Sequence, residues 1–284
     1  MIINKHITSY LSHTKIFQHL DYSLFVGLDD TTIIYPLLYA ASDNSICSLG
    51  IQHGAYVKRH EDYIMNGITN YKWFDKIVVW GEYWKRLLQK YSDSFDDDYY
   101  LIGSNKLSYN YQQPKKLDDK RIVLIPYEFL TDTIAVGKYM RKFIDQGFDV
   151  HFKVRPIAPG ESKEEQLNAY FLGDYSEKIT FVEQITTEQM SSVSIVAGTQ
   201  TTLLFDLLPF RKTTFILDTN YSFLLDMVDN GFATLVSMND MDSINDVYYK
   251  ESLKSYNIDD SDIFGSEPIG KVISKYMHSI KRLK

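Results

Sequence analysis

The sequence has few of the features that mark disulfide-rich, secreted or membrane proteins. Its 284 residues include one cysteine, Cys47, which excludes an internal disulfide and a thiolate metal cluster. No apolar run reaches the about 20 residues that span a bilayer. The first 15 residues also have no apolar signal-peptide core. We therefore expect a cytoplasmic protein.

The chain also has no net positive charge and no common nucleotide-binding or protease signature. The net charge of −7 argues against a protein that binds nucleic acid through a basic face. The sequence contains no G-x-x-x-x-G-K-[ST], H-E-x-x-H, G-x-S-x-G or G-x-G-x-x-G motif. P-loop, zincin, α/β-hydrolase and dinucleotide-binding functions therefore have no support from a motif.

What the sequence does show is an alternation of short apolar strands and helical patterns along most of its length. Predicted strands cover residues 23–28, 45–52, 76–80, 99–103, 121–126, 149–154, 178–182, 194–198 and 213–217, and predicted helices cover 31–41, 83–91, 131–146, 164–171, 187–192, 201–208 and 221–229. This alternation is typical of parallel sheets with helical crossovers.

A polar stretch without periodicity, residues 105–119, divides the series into two. We predict an α/β protein of two Rossmann-like parallel-sheet domains facing a cleft, with the first domain reduced in size. The first domain would cover residues 1–110 and the second 120–265. A helix over 266–284 would follow, with packing against the first domain as one arrangement.

The most informative motif lies at residues 194–206, where a predicted strand ends at Gly198 and a predicted helix begins. Unpaired N–H groups and the positive end of a helix dipole at such a junction suit a phosphate. Side chains of Thr199, Gln200, Thr201 and Thr202 can add donors. Asp206, on the same helical face as Thr202, could accept a hydrogen bond from a ribose hydroxyl. An ordinary helix cap is the alternative interpretation.

Four further motifs follow predicted strands, where ligands bind in sheets of this type. The motifs are Gln52-His53-Gly54, Trp80-Gly81-Glu82, Gly103-Ser104-Asn105 and Lys153-Val154-Arg155-Pro156. His53 could act as a general base near neutral pH, and Arg155 could bind a phosphate with two parallel hydrogen bonds. A loop histidine and a surface cation are the respective alternatives.

Taken in this order over residues 51–218, the motifs resemble those of the two-Rossmann-domain (GT-B) transferases that build bacterial surface polysaccharides and teichoic acids. That group includes relatives of the CDP-glycerol glycerophosphotransferases. The resemblance implies a glycosyltransferase that moves a sugar from a nucleotide-activated donor to a glycan or lipid-linked acceptor. It implies no metal and no cofactor beyond that donor.

By the same resemblance, His53 matches the base that deprotonates the acceptor hydroxyl. The donor would be bound by Lys153, Arg155, Gly198, Thr199, Gln200, Thr201, Thr202 and Asp206, and further cleft candidates are Gln52, Gly54, Glu82, Gly103, Ser104 and Asn105. A second catalytic histidine is not assigned, since Arg155 precedes Pro156 where that group has histidine.

Other functions remain open on the sequence. A polyol-phosphate transferase using a CDP-alcohol, or a nucleotide-sugar epimerase, would share the two-domain plan. A non-catalytic nucleotide-sugar-binding subunit of a polysaccharide assembly would fit the reduced first domain. The acidic tracts at residues 96–98 and 240–242 are predicted to be a solvated turn and a helix cap rather than metal ligands.

The C-terminal helix predicted over 266–284 has one apolar face and a basic end, Lys281, Arg282 and Lys284. A packing helix is the simpler interpretation. Peripheral attachment to an anionic membrane is the alternative, because lipid-linked acceptors would lie there.

Overall fold

The computed structural model describes residues 2–19, 22–28, 35–56, 74–91, 96–104, 121–128, 131–157, 159–254 and 260–283. Contacts divide the chain into two compact units. The first consists of Met1–Tyr109 together with Asp259–Lys284, and the second is Asn110–Ile258. Residues 259–265, which the sequence prediction assigned to the second domain, therefore belong to the first unit. The linker predicted at 105–119 lies outside the described residues.

The described part of the first unit contains one parallel four-stranded sheet in the order β1-β2-β3-β4. The strands are β1 (Leu24–Leu28), β2 (Cys47–Ile51), β3 (Lys76–Val79) and β4 (Tyr100–Ile102). The helices are α1 (Ile2–Gln18), α2 (Tyr35–Asp43), α3 (Glu82–Tyr91), α10 (Asp260–Ile263) and α11 (Ile269–Leu283), numbered along the whole chain.

The helix α11 covers one face of this sheet. Its Val272 is buried in a cluster with Leu49 of β2 and Val78 of β3, and Ile269, Ile273 and Tyr276 pack against that cluster. The apolar face of α11 is thus used for packing, and Met277 remains 38% exposed. No helix in the described part of the chain is long and apolar enough to cross a membrane.

The second unit has a parallel six-stranded sheet in the order β10-β9-β8-β5-β6-β7. The strands are β5 (Ile122–Pro126), β6 (Asp149–Lys153), β7 (Thr180–Val182), β8 (Val193–Gly198), β9 (Thr213–Leu217) and β10 (Thr234–Val236). The helices are α4 (Thr133–Asp145), α5 (Lys163–Asn168), α6 (Thr187–Ser192), α7 (Leu203–Leu207), α8 (Leu225–Asp229) and α9 (Ile244–Ser252).

Burial explains why the central strands have near-continuous apolar sequences. Every residue of β5, β8 and β9 is buried, as in parallel strands covered on both faces. Helix α4 contributes Tyr139, Met140 and Phe143 to the core beside these strands. The predicted class, two Rossmann-like parallel-sheet units, is confirmed.

The order of strands reverses between β5 and β8. Successive strands run from β5 to β6 and β7 on one side, and from β8 to β9 and β10 on the other. Open α/β sheets bind ligands at this switch point, beyond the carboxyl ends of the two diverging strands. The fold therefore directs attention to the residues that follow Pro126 and Gly198.

Candidate functional site

At the switch point of the second unit, the chain leaving β5 meets the chain leaving β8 through a buried carboxylate, Glu128. Its Oε1 accepts hydrogen bonds from the backbone N–H groups of Thr199, Gln200 and Thr201, at 2.8, 2.9 and 2.9 Å. Its Oε2 accepts from the Thr199 N–H at 3.0 Å and from the Thr199 hydroxyl. Both carboxyl oxygens are thus bound by donors from one loop.

Burial and hydrogen bonding shift the pKa of the Glu128 carboxyl in opposite directions. The side chain is 4% exposed, and its burial raises the pKa of the carboxyl above its ordinary value. Four hydrogen bonds lower that pKa, because they stabilise the ionised form. They come from the Thr199 hydroxyl and from the backbone N–H groups of Gln200, Thr201 and Thr199. Successive N–H groups aimed at one oxygen form an anion-binding concavity.

There is no room beside Glu128 for a side chain at position 198. A Cβ added to Gly198 would lie 2.8 Å from Glu128 Oε1, so glycine is needed there for the carboxylate to approach. Thr131 places its hydroxyl oxygen 2.8 Å from that of Thr199, and the backbone N–H of Glu128 donates to the Tyr170 hydroxyl at 3.1 Å. The loop is therefore anchored from three sides.

This arrangement corrects one premise of the sequence analysis. The N–H groups of Thr199, Gln200 and Thr201, which we expected to be unpaired and open to a phosphate, are bound to Glu128. The helix that follows is also shorter than predicted, since α7 covers Leu203–Leu207 rather than residues 201–208. A helix of five residues has a weak dipole.

The polar side chains beyond this loop are partly accessible. Gln200, Thr201, Thr202 and Asp206 are half-buried, whereas Thr199 and Gly198 are buried. The Thr201 hydroxyl accepts from the N–H of Leu203 at 3.3 Å and so starts α7. Donor binding by these side chains stays a prediction.

The two cations predicted to bind phosphate end β6, next to β5. Arg155 is exposed, pairs with Glu161 at 3.0 Å, and has its guanidinium carbon 5.0 Å from the ring centroid of Tyr127. The hydrogen bond to Glu161 raises the pKa of Arg155. Lys153 is half-buried, its ammonium donates to the carbonyl of Val154, and burial lowers its pKa. A phosphate at Arg155 would compete with Glu161.

In the first unit, Gln52 connects the carboxyl end of β2 to the carboxyl end of β3 by hydrogen bonds. Its amide oxygen accepts from the N–H of Trp80 at 2.8 Å, and its amide nitrogen donates to the carbonyl of Gly54 at 2.9 Å. The Trp80 indole donates to the Gln52 carbonyl at 2.9 Å. Gln52 is 1% exposed, so this predicted cleft residue has a structural role.

The same network fixes the backbone around His53. Gln52, Gly54, Ala55 and Tyr56 are buried, and His53 between them is exposed. An exposed imidazole on a rigid loop at the carboxyl end of a strand is suitably placed to reach a substrate. The proposed base is therefore accessible in the first unit.

The carboxyl ends of β3 and β4 are covered by residues 262–268, which we call the C-terminal segment. The Trp84 indole donates to the carbonyl of Ile263 at 3.0 Å, and the N–H of Gly265 donates to the carbonyl of Trp80. The N–H of Ser104 donates to the carbonyl of Glu267 at 2.9 Å. Among the described residues that follow β2, β3 and β4, His53 after β2 is exposed, whereas Trp80, Gly81, Gly103 and Ser104 are buried.

That coverage affects the remaining cleft candidates. A Cβ on Gly103 would lie 2.9 Å from Val272 of α11, and Ser104 is 3% exposed. Neither is open to a ligand. Glu82 is exposed at the start of α3, and Asn105 lies outside the described residues.

Both acidic tracts make intramolecular contacts. Asp97 pairs with Lys85 at 3.0 Å, and Asp240 accepts from the N–H of Ser237 at 2.8 Å in a helix cap. Among the described residues, no three His, Cys, Asp or Glu side chains come together in a way that could hold a metal ion.

Glu128 was not among the predicted site residues, although it lies two positions after the buried strand β5. A charged residue two positions after the apolar run 121–126 was a usable signal. Its partner lies 71 residues further on, and only the strand order brings the two together.

No family model matches the sequence, and no curated protein matches it. Solved structures do match. The UDP-GlcNAc 2-epimerase of Neisseria meningitidis bound to UDP-GlcNAc has a TM-score of 0.63 and 14% identity, over 98% of this chain and 81% of that chain. MnaA of S. aureus with UDP gives a TM-score of 0.62 and 13% identity, over 98% and 80% of the two chains.

The glycotransferase of kitacinnamycin matches with a TM-score of 0.54 and 11% identity, over 89% of this chain and 73% of that chain. MurG of Acinetobacter baumannii has a TM-score of 0.58 and 10% identity, over 99% of this chain and 80% of that chain. At such identities the likeness concerns the fold alone. Two parallel-sheet α/β units with these neighbours establish a Rossmann-like GT-B architecture for the chain.

Proposed function

We propose that the chain is an enzyme acting on a nucleotide-activated sugar, with the nucleotide bound by the second unit. The observation that carries the proposal is the switch point between β5 and β8. There the partly accessible side chains of Gln200, Thr201, Thr202 and Asp206 follow an anchored loop. The GT-B neighbours with UDP or UDP-GlcNAc bound support the same ligand class.

Two reactions fit this class, and the neighbours favour epimerisation. Several of the matching structures are UDP-GlcNAc 2-epimerases, which invert a carbon centre of the sugar. The corresponding proposal is that this chain epimerises a nucleotide sugar. In a balanced route a base takes the proton of the inverted carbon, and the C–H electron pair forms a C=C bond to the neighbouring carbon as that carbon's bond to the nucleotide phosphate breaks. Reversal of these steps, with the proton added to the other face, restores the bond to the nucleotide. His53, which is exposed directly after β2, is the candidate base.

Glycosyl transfer is the second candidate, and the exposed His53 supports it too. In that reaction the imidazole takes the proton of the acceptor hydroxyl as its oxygen bonds to the sugar carbon. The bond to the leaving phosphate breaks, and its electron pair stays with the nucleotide. The order of strand-end motifs and the likeness to the kitacinnamycin glycotransferase support this reaction.

One experiment separates the candidates. The protein is incubated in D2O with UDP-, CMP-, CDP- and GDP-activated sugars and with CDP-glycerol, and the products are followed by proton NMR. An epimerase gives a new sugar stereoisomer with deuterium at the inverted carbon. A transferase releases the nucleotide, slowly with water and faster with a glycan acceptor.

Saturable nucleotide binding without any turnover would instead assign the chain as a non-catalytic nucleotide-sugar-binding subunit. Absence of binding to the whole panel, by a protein that unfolds cooperatively, would refute the proposed function.

A further inference from the structure

Glu128 is a buried acid that neither reaction above requires. Every hydrogen bond described for its carboxyl group comes from residues 199–201. The backbone donors there sit at the switch point, where a phosphate would be gripped in sheets that bind nucleotides through the loop backbone. The carboxylate therefore lies where an anionic ligand would otherwise lie.

The contact is built into the fold. Gly198 gives the carboxylate its space, since a Cβ there would lie 2.8 Å from Oε1. The Tyr170 hydroxyl accepts the hydrogen bond of the Glu128 backbone N–H at 3.1 Å, and a Cβ added to Gly137 of α4 would overlap with the carbonyl oxygen of Tyr170. Thr199 and Glu128 are 0% and 4% exposed. A ligand phosphate could displace the carboxylate only by moving these neighbours.

From these contacts we propose that Glu128 fills the anion site of residues 198–201 from within the chain. The second unit then holds a nucleotide through side chains and without backbone N–H bonds to its phosphates, so a nucleoside monophosphate binds as tightly as the diphosphate. Glu128 is in this sense a positioning and specificity-determining residue. The inference rests on the proposed function, because it concerns the nucleotide of that same site.

The physical argument is a count of donors. A second phosphate increases the affinity of a nucleotide when unpaired donors lie within reach of its oxygens, because each hydrogen bond to a charged group then contributes substantially. Here the three backbone donors are engaged and their acceptor is buried. The nearby guanidinium of Arg155 is paired with Glu161. An added phosphate therefore meets groups that already have partners.

The first test uses the unmodified protein and calorimetric titration with UMP, UDP, CMP and CDP. We expect each monophosphate and its diphosphate to bind within about threefold of each other. A diphosphate bound tenfold more tightly than its monophosphate would overturn the inference, whatever any variant does. Absence of binding by all four would refute the proposed function, and this inference with it.

The second test opens the site with Glu128→Ala and adds small anions. Acetate or inorganic phosphate should raise the melting temperature of this variant and leave that of the unmodified protein unchanged, because only the variant has vacant donors. In the same variant, affinity for UDP should rise relative to UMP by about tenfold. Glu183→Ala, which removes an exposed carboxylate of the same unit, is the matched control and should show neither effect.

A folded Glu128→Ala protein that no anion stabilises would contradict the proposed filling of the site. If Glu128→Ala does not fold, the titrations of the unmodified protein decide alone, and a diphosphate bound tenfold more tightly than its monophosphate overturns the inference.

Discussion

Single buried polar side chains fix the strand-end loops of both units. In the first unit Gln52 connects Trp80 with Gly54, and in the second unit Glu128 binds Thr199 and its two successors. Because unpaired buried polar groups are costly, each of these networks favours one loop conformation. The exposed residues beside them, His53 above all, are held in place at little entropic cost.

The residue with the most direct predicted effect is His53. His53→Ala should reduce turnover of the nucleotide sugar by about 10²–10⁴-fold, since a general base contributes that much. Nucleotide affinity should change little, because the second unit is proposed to hold the nucleotide. Steady-state kinetics and calorimetric titration test the two statements. His278→Ala, which removes another exposed histidine, is the control, and near-full turnover of His53→Ala would contradict the proposed role.

A second prediction at this scale concerns Tyr139 of α4 and the response to alkaline pH. Its buried hydroxyl donates to the carbonyl of Asp218 at 2.9 Å, with the carbonyl of Val236 at 3.1 Å. Burial raises the pKa of Tyr139 to about 12. Between about pH 10 and 12 the unfolded chain therefore loses a proton that the folded protein keeps, so stability falls as pH rises.

Tyr139→Phe should cost about 1 kcal/mol at neutral pH and should reduce this alkaline loss. Urea unfolding at pH 7.5, 9 and 10.5 measures both. Tyr249→Phe, at a 67% exposed position, should behave as the unmodified protein does, and an identical pH slope in Tyr139→Phe would argue against the prediction.

At the scale of elements, the C-terminal segment and α11 complete the first unit. The segment covers the carboxyl ends of β3 and β4, and α11 packs on Leu49 and Val78 of the sheet. Without them these apolar side chains would face water. The described residues directly after β3 and β4 are therefore buried, and the exposed His53 follows β2.

Gly81 tests this closure directly. A Cβ at Gly81 would lie 2.6 Å from the carbonyl carbon of Ile263, a backbone atom that cannot turn aside. Gly81→Ala should therefore displace the C-terminal segment and destabilise the first unit by about 1–3 kcal/mol, the usual cost of overpacking.

Gly270→Ala is the matched control, because a Cβ there meets nothing within 4 Å. It replaces a glycine within α11 and should stabilise by up to about 1 kcal/mol. Urea unfolding and limited proteolysis near residue 265 report both changes. Equal effects of the two substitutions would show that the Gly81 contact is unimportant.

The elements that a local sequence pattern defines could be predicted from the sequence. The strands predicted over residues 194–198 and 213–217, which end at a glycine or before a polar residue, are β8 (Val193–Gly198) and β9 (Thr213–Leu217). The strand β10 and helix α9 were missed, because three residues and a weakly amphipathic pattern give little signal. The pairing of Glu128 with Thr199 and the burial of Ser104 by the C-terminal segment depend on contacts between distant residues, which local patterns do not contain.

For the whole molecule, the GT-B architecture places the chain among folds that handle nucleotide sugars without fixing the reaction. Catalysis is expected to be independent of metal. The tract over residues 96–98 formally contains a D-x-D pattern, but we predict it to be a solvated turn, and its Asp97 pairs with Lys85. Turnover should therefore be unchanged by EDTA. Loss of turnover in EDTA, with recovery on adding Mg²⁺ or Mn²⁺ but not Ca²⁺, would contradict this and would point to the exposed Asp96 and Asp98 as ligands.

The division of the first unit between the two ends of the chain has a consequence for biosynthesis. Residues 110–258 form the second unit and are complete before Asp259 leaves the ribosome. The first unit must wait with the ends of β3 and β4 uncovered until residues 262–283 have been synthesised. A chain released after residue 258 would contain every element of the second unit, but Leu49 and Val78 of the first unit would lack the cover of α11. That apolar sheet face would be available to chaperones.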